Sequence, residues 1–279
     1  MSTRGTVLVG TDGSVTAQEA VRWAAVEAQR REVTLTVLYA YEDEWPTMPG
    51  MLPQRTVEAA RDHAEVVVSG ARLAVQQIAP GLTVHTEAIP GDPAAVLVRQ
   101  AGTAGLMVVG HRGDGGFTSL MLGSVGHSVA AHASCPVAVV RGRSMAASGP
   151  VAVSADGAPG SDTAIESAFA EANARGAAVL AVRAYREPMP PVTPGLPTLR
   201  LVSPAEHEKS LTDELEARLA PWRREFPAVP VGTVISAGSV ARLLVGASHQ
   251  AQLVVVSHYG PAWSQLLHHA DCPVLIVRK

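Results

Sequence analysis

Lysine is nearly absent from this 279-residue chain, which contains only Lys209 and Lys279. Neither lysine follows a glycine, so the phosphate-binding motif G-x4-G-K-[ST] is missing, and no strand leads into G-x-G-x-x-G. Aromatic residues make up only 4% of the sequence. No apolar run approaches the ~20 residues that a membrane-spanning helix needs. These absences exclude two common glycine-rich motifs and predict a globular protein without a membrane span.

Charge and cysteine are also sparse. The 22 basic and 25 acidic residues give a net charge of −3, so the basic character of nucleic-acid-binding proteins is lacking. Cys135 and Cys272 each precede a proline at equivalent places in two repeats, which favours structural roles over a disulfide between them. Residues 1–5 lead into a strand-like run without the features of a signal peptide. We therefore expect a cytoplasmic protein without a nucleic-acid partner.

The chain contains two copies of one pattern. Val7–Gly13 matches Val151–Gly157, and the correspondence continues to Cys135 and Cys272. Both copies alternate short valine-rich runs with longer amphipathic stretches, which predicts a mostly parallel sheet with helices on both faces. The predicted fold class is α/β, with tandem domains at residues 1–142 and 150–279.

The predicted elements follow from this alternation. The proline-rich stretch 186–204 and its counterpart 42–53 are predicted to be loops, because proline interrupts helices and inner strands. The first repeat has predicted helices near Thr16–Arg31, Thr56–Ala79, Pro93–Thr103 and Ser124–Ala133. The predicted strands are Thr6–Gly10, Val33–Ala40, Thr83–Ala88, Leu106–Gly110, Val137–Arg141, Val151–Ala155, Ala177–Ala184, Val231–Ser236, Leu253–Ser257 and Val274–Arg278.

A glycine-rich segment follows the fourth predicted strand. Gly110, Gly113, Gly123 and Ser124 have the spacing G-x2-G-x9-G-S, and an amphipathic stretch begins at the serine. Glycine lets backbone N–H groups approach a ligand closely, and the N-terminus of a helix favours anions. The segment therefore predicts a phosphate-binding loop on an α/β scaffold.

This spacing resembles the nucleotide-binding signature of the universal stress protein family, and the resemblance extends over Val108–Arg141. It implies ATP binding, a flavodoxin-like five-stranded sheet in each domain, and roles in stress, growth arrest or hypoxia. It also implies that the backbone of Ala40 contacts the adenine edge. The candidate ATP-binding residues are Gly10, Thr11, Asp12, Ala40, Gly110, His111, Arg112, Gly113, Gly115, Gly116, Gly123, Ser124 and Val125.

Two of these side chains have alternative roles. Asp12 is predicted either to bind ribose hydroxyls or Mg2+, or to cap the following helix. Asp156 keeps the aspartate in the second repeat, which supports capping for part of that role. Arg112 is either the cation that helps to neutralise phosphate or a solvated loop arginine.

The ten histidines show no metal-binding spacing, so we expect no zinc site.

The second repeat has lost most of the phosphate loop. It is ten residues shorter than the first between Gly260 and Cys272, and Ser257 stands where the first repeat has Gly110. No Gly-Ser pair is left to begin a helix, and Trp263 is bulky enough to occupy the vacated space. We predict one ATP per chain, bound by the first repeat.

The last predicted strand of each repeat is an apolar run that ends in an arginine, Arg141 or Arg278. Exposed apolar edge strands promote association unless they are paired. In the family that this chain resembles, the last strand mediates dimerisation. We therefore predict that the two repeats pair through these strands about a pseudo-two-fold axis, and a homodimer of the whole chain is a further expectation.

A nucleotide pocket does not by itself imply turnover. No Ser-His-Asp set, Walker-type lysine or arranged pair of acidic metal ligands is recognisable in the sequence. An ATP-binding regulatory protein is therefore the preferred hypothesis. The alternatives are a slow ATPase or nucleotide-transferring enzyme that uses the same pocket, and a structural scaffold with a vestigial pocket.

Overall fold

A computed structural model gives the tertiary structure and describes residues 5–41, 53–113, 123–186 and 204–278. Most of both predicted proline-containing loops lies outside these ranges, as do the candidate residues Gly115 and Gly116. None of the helices in the described ranges is long and apolar enough to cross a membrane.

The elements of the two repeats follow the same order. The first repeat consists of β1 (Thr6–Gly10), α1 (Val15–Arg30), β2 (Leu35–Tyr41), α2 (Pro53–Ile78), β3 (Val84–Pro90), α3 (Pro93–Gln100), β4 (Ala104–Gly110), α4 (Ser124–His132) and β5 (Val137–Val140), with a 3-10 turn at Ala101–Thr103. The second repeat consists of β6 (Val151–Ser154), α5 (Ser161–Arg175), β7 (Val179–Tyr185), α6 (Pro204–Glu225), β8 (Val231–Ala237), α7 (Val240–Ser248), β9 (Leu253–Ser257), α8 (Ala262–His269) and β10 (Val274–Val277).

Local sequence signals explain where several helices begin and end. The Asp92 side chain accepts a 2.8 Å hydrogen bond from the Ala95 N–H, and Pro93 follows it as the first residue of α3. At the other end of a helix, α5 stops at Gly176, whose φ of 61° lies in the left-handed region that favours glycine. These signals fix the ends of helices but do not say which face each helix buries.

All ten strands form one sheet in the order β3-β2-β1-β4-β5-β10-β9-β6-β7-β8. Strand pairs within each repeat are parallel, whereas β5 and β10 are antiparallel, with Ala138 opposite Leu275. This arrangement confirms the α/β class and the predicted pairing of the repeats through their last strands. Because β5 and β10 pair with each other within one chain, these strand edges are not available to a second copy. A homodimer would need another surface and stays a prediction.

The core has two layers, one on each face of the sheet. Along β4, Leu106 and Val108 belong to one layer, and Met107 and Val109 belong to the other. Helices α1, α2, α5 and α6 cover the first face, and α3, α4, α7 and α8 cover the second. Strands buried on both faces read as continuous apolar runs, as the sequence does here.

Two arginines fasten each repeat to a helix of the other. Arg141, just after β5, donates to the backbone carbonyls of Leu266 and His268 in α8, at 3.0 Å each. Arg278, just after β10, donates to the carbonyl of Ala130 in α4. The carbonyls in the last turn of a helix have free acceptor capacity, so each repeat donates to a helix end of its neighbour; the Leu266 carbonyl also accepts from the Ala270 N–H.

Candidate functional site

A cavity of about 470 Å3 lies at the carboxyl ends of β1, β2 and β4. The strand order changes direction between β1 and β4, and ligands of open α/β sheets bind at such a point. The structure brings most of the sequence-predicted site residues into this cavity, namely Gly10, Thr11, Asp12, Ala40, Gly110, Arg112, Gly113, Gly123, Ser124 and Val125.

Sequence reasoning missed an apolar wall of the cavity. Pro93 and Leu97 lie one turn apart at the start of α3, and both line the cavity. The Asp-Pro helix start was visible in the sequence, but nothing there showed that this turn faces β1. The other lining residues that were not predicted are Ala17, Leu38, Val109 and Gly126.

Two glycines of the loop lie close to other parts of the protein. A Cβ on Gly110 would lie 3.0 Å from the carbonyl oxygen of Thr16, because the start of α1 packs directly on the end of β4. A Cβ on Gly113 would overlap the Asp12 carboxylate. The absence of a side chain at Gly110 therefore lets α1 pack on β4, and the close approach of these glycines to a ligand stays a prediction.

The start of α4 forms one side of the cavity. Gly123 precedes the helix, and its N–H donates a 3.0 Å hydrogen bond to the carbonyl of His111. The sequence-based assignment of this N–H as a phosphate donor therefore does not fit the structure. The next three residues, Ser124, Val125 and Gly126, line the cavity. The first N–H groups of a helix have no partner within the helix, so these three residues are the better candidates.

Asp12 does not cap α1, so the capping hypothesis is wrong. Its Oδ1 accepts a 3.0 Å hydrogen bond from the Ser14 N–H. The cap is Ser14, whose hydroxyl accepts from the Ala17 N–H at 3.2 Å. In the second repeat, Asp156 likewise accepts from a nearby backbone N–H, that of Ala158. Asp12 lines the cavity, and its predicted ribose or Mg2+ role stays a prediction.

Charge in the site is modest. Among the described residues that line the cavity, Arg112 is the one cation and Asp12 the one acid. His111 does not line it, and its Nδ1 lies 3.3 Å from the Val140 carbonyl. Burial, together with the charges of Arg141 and Arg112, lowers the pKa of His111 below its ordinary value. His111 is therefore neutral at neutral pH and adds no positive charge to the site.

The second repeat keeps a helix at the position of the lost loop. The expectation that no helix begins there is wrong, because α8 starts at Ala262 directly after Pro261. The prediction that Trp263 fills the vacated space is wrong. The centroid of its ring lies 5.4 Å from that of His127 in α4, at the boundary of the two repeats.

The space next to this shortened loop is nearly closed. Ser257, at the end of β9, donates a 3.1 Å hydrogen bond to the carbonyl of Pro159 before α5. Only about 20 Å3 of cavity is left there, between residues that include Asp156, Ser257 and Tyr259. The part of the first cavity next to the start of α4 thus has no open counterpart here.

A larger cavity of about 640 Å3 lies beside it, at the carboxyl ends of β6 and β7 and the start of α7. It is lined by Asp156, Ala184, Tyr185, Arg186, Gly238, Ser239 and Val240. Among these described residues, none belongs to the connection between β9 and α8. This cavity therefore lacks the wall that Ser124, Val125 and Gly126 provide in the first repeat.

Comparisons with known proteins agree with this architecture. The model of the universal stress protein family matches residues 3–141 and again 149–278. Universal stress protein Rv2005c of Mycobacterium tuberculosis is 33% identical over 293 residues, which cover 98% of this chain and 97% of that protein. Universal stress protein Rv2623 of the same organism is 34% identical over 264 residues, which cover 91% of this chain and 86% of that protein.

A solved structure supports the fold alone. The crystal structure of a universal stress protein from Archaeoglobus fulgidus superimposes with a TM-score of 0.72 at 15% identity, covering 99% of this chain and 96% of that chain. The family model accounts for both halves of the sequence, and the relatives align over nearly the whole length. The chain belongs to the universal stress protein family.

Proposed function

We propose that this protein is a cytoplasmic ATP-binding regulatory protein that holds one nucleotide in its first repeat. The observation that supports this most is the meeting of three separate segments around one cavity: the end of β1, the end of β4, and the start of α4. The volume of about 470 Å3 lies within the range of small-molecule sites. Both cysteines are buried free thiols, which suits a reducing compartment.

The lining of the cavity combines two kinds of chemistry. The apolar side chains of Leu38, Leu97 and Val109, with the backbone of Ala40, suit a purine base. The first turn of α4 and Arg112 suit phosphate oxygens. We propose that the base contacts the apolar residues and that the phosphates lie at the start of α4.

Asp12 lines the same cavity, where it can accept hydrogen bonds from ribose hydroxyls. A carboxylate is also a suitable Mg2+ ligand when phosphate oxygens complete the shell. We propose ATP as the ligand, with Mg2+ as an accompanying ion that Asp12 can help to hold.

Calorimetric titration of nucleotide-free protein with ATP tests the proposal. We expect saturable binding in the wild type and none in Gly123→Glu, which places a negative side chain beside the phosphate-binding end. Gly123→Ala is the matched control, because its Cβ would make only ordinary contacts, the nearest being 3.5 Å from Arg112 Cα. Gly70→Glu adds the same charge on α2, where nothing lies within 4 Å of a new Cβ.

We expect both controls to bind ATP as the wild type does. Equal ATP affinity in Gly123→Glu and the wild type would remove the site assignment. Phosphate release, measured in the same samples with Mg2+, separates a binding protein from a slow ATPase. Release that is abolished by Gly123→Glu alone would favour the enzymatic alternative.

A further inference from the structure

One hydroxyl group joins the start of α1 to the end of β4. The Thr16 side chain donates a 2.6 Å hydrogen bond to the carbonyl of Arg112, 96 positions away in the sequence. Thr16 Oγ1 also lies 3.2 Å from the Ser14 hydroxyl, which itself accepts from the Ala17 N–H. Because the Thr16 hydroxyl donates its proton to the Arg112 carbonyl, the Ser14 hydroxyl must be the donor to Thr16 Oγ1. A continuous chain of hydrogen bonds therefore runs from the cap of α1 to the loop.

Thr16 acts on the site through its neighbours. It does not line the cavity, whereas Arg112 and Gly113 do. Gly110 makes the contact sterically feasible, because its missing side chain leaves room for the backbone of Thr16. The backbone that follows β4 is thus held at the cavity wall by a residue outside it.

The second repeat makes the corresponding contact with the roles exchanged. There the hydroxyl belongs to the strand end, where Ser257 donates to the carbonyl of Pro159. The glycine that makes room for this contact is Gly160, at the start of the helix. A Cβ on Gly160 would overlap Ser257 Oγ. The space that adjoins Ser257 is only about 20 Å3, and Ser257 does not line the neighbouring cavity of about 640 Å3. In the first repeat, by contrast, Gly110, Arg112 and Gly113 all line the cavity of about 470 Å3.

We propose that Thr16 is a positioning residue that fixes the Arg112–Gly113 backbone for phosphate binding. The pair Gly110 with Thr16 then permits phosphate in the first repeat, and the pair Ser257 with Gly160 excludes it from the second. This inference rests on the proposed function and names a determinant of the same site. Its specific consequence is that Thr16 matters for the phosphate groups and not for the base.

Two substitutions of Thr16 isolate the hydroxyl. Thr16→Val removes it at nearly constant shape, and Thr16→Ser keeps it. By titration calorimetry we expect Thr16→Val to bind ATP about tenfold more weakly, the order of effect of one lost hydrogen bond. Adenosine, which lacks phosphate, should bind the variant and the wild type within about twofold, on the same free-energy scale. Thr16→Ser should restore ATP affinity.

A loss of ATP and adenosine affinity by the same factor in Thr16→Val would show a merely structural role and overturn the inference. Unchanged ATP affinity in Thr16→Val would also overturn it, as would a Thr16→Ser variant as weak as Thr16→Val.

Hydrogen exchange of the nucleotide-free protein gives a readout that does not depend on ligand. We expect faster exchange in the peptides that contain residues 110–113 for Thr16→Val, and wild-type exchange for Thr16→Ser. Unchanged exchange in Thr16→Val would overturn the positioning role. A wild type that fails to bind ATP would instead refute the proposed function, while this exchange difference would still support or reject the role of Thr16.

Gly110→Ser transfers the residue of the second repeat into the first. We expect it to lose ATP binding and to keep adenosine binding, which also confirms that the variant is folded. ATP affinity equal to that of the wild type would show that the exchanged pair does not decide which repeat accepts phosphate.

Discussion

The guanidinium of Arg175 in the second repeat lies 2.8 Å from the carboxylate of Glu27 in the first. A matching pair, Arg31 with Glu171, joins the same two helices at 2.5 Å. Each carboxylate also pairs with the arginine four residues later in its own repeat, Arg31 for Glu27 and Arg175 for Glu171. The cluster is therefore two-fold symmetric in its chemistry, and it joins α1 to α5 across the boundary of the repeats.

The surroundings of the two carboxylates are not equivalent. Burial by itself raises the pKa of Glu27, but Arg175, Arg31 and Arg30 together bring it below its ordinary value. Burial, reinforced by the charge of Glu27, raises the pKa of Glu171. Arg30, which pairs with Glu27 at 2.6 Å, contributes to the lowering of the Glu27 pKa.

Removing one partner from this cluster is expected to be costly. Arg175→Met should lower the free energy of unfolding by about 3–5 kcal/mol, because it removes the guanidinium that pairs with both buried carboxylates, Glu27 and Glu171. Urea unfolding measures the change. Arg223→Met is the matched control, since Arg223 and Glu216 form an ion pair whose side chains are 41% and 43% exposed. The control should change stability by at most about 1 kcal/mol. Equal effects of the two substitutions would contradict the structural role of the cluster.

His111 is expected to make stability depend on pH. Its pKa in the folded protein lies below the ordinary value of 6.5, so as pH falls through 6.5 the unfolded chain takes up the proton first. The free energy of unfolding should therefore decrease below about pH 6.5, and His111→Gln should lose that component. Histidine titration by NMR checks the pKa directly. A His111 signal with its midpoint at or above 6.5 would contradict the prediction.

Both thiols are expected to be unreactive in the folded protein. Burial raises the pKa of Cys272 to about 12 and also raises that of Cys135 above its ordinary value. Since the thiolate is the reactive form, an aromatic disulfide reagent at pH 8 should label neither cysteine without denaturant. Both should react in urea. Rapid labelling of the native protein at either position would show that the strand ends open.

Nucleotide stoichiometry separates the two repeats. We expect about one ATP per chain, with Asp12→Ala weakening binding and the matched variant Asp156→Ala leaving it unchanged. The physical reason is that the Ser257–Pro159 contact closes the space next to β9, while the cavity of about 640 Å3 that Asp156 also lines has no wall from the β9–α8 connection among the described residues. Loss of half the sites in Asp156→Ala, or two sites of similar affinity in the wild type, would contradict this asymmetry.

Much of the fold could be predicted from local pattern. Valine-rich runs that alternate with amphipathic stretches fixed the strands, and every strand predicted from the sequence is present, with ends that differ by a few residues. The internal repeat and the apolar last strands were enough to predict the pairing of β5 with β10. Periodicity carries this information because strand and helix patterns depend on residues that are close in the sequence.

The site was only partly predictable for the same reason. Glycine spacing identified the loop and α4, since the motif is continuous in the sequence. The face that α3 presents to the cavity, and the use of Gly110 to admit Thr16, depend on packing between distant segments. A capping role for Asp12 agreed with local statistics, but the geometry of the turn gave that role to Ser14.

The sequence by itself determined the two-repeat α/β architecture and the shortening of the glycine-rich loop in the second copy, because both are visible in local patterns and their spacing. Only the tertiary structure decided that Glu27 meets Arg175, and that Thr16 holds Arg112. Such contacts join groups 148 and 96 positions apart, and they form only after the sheet has set the distance between the helices.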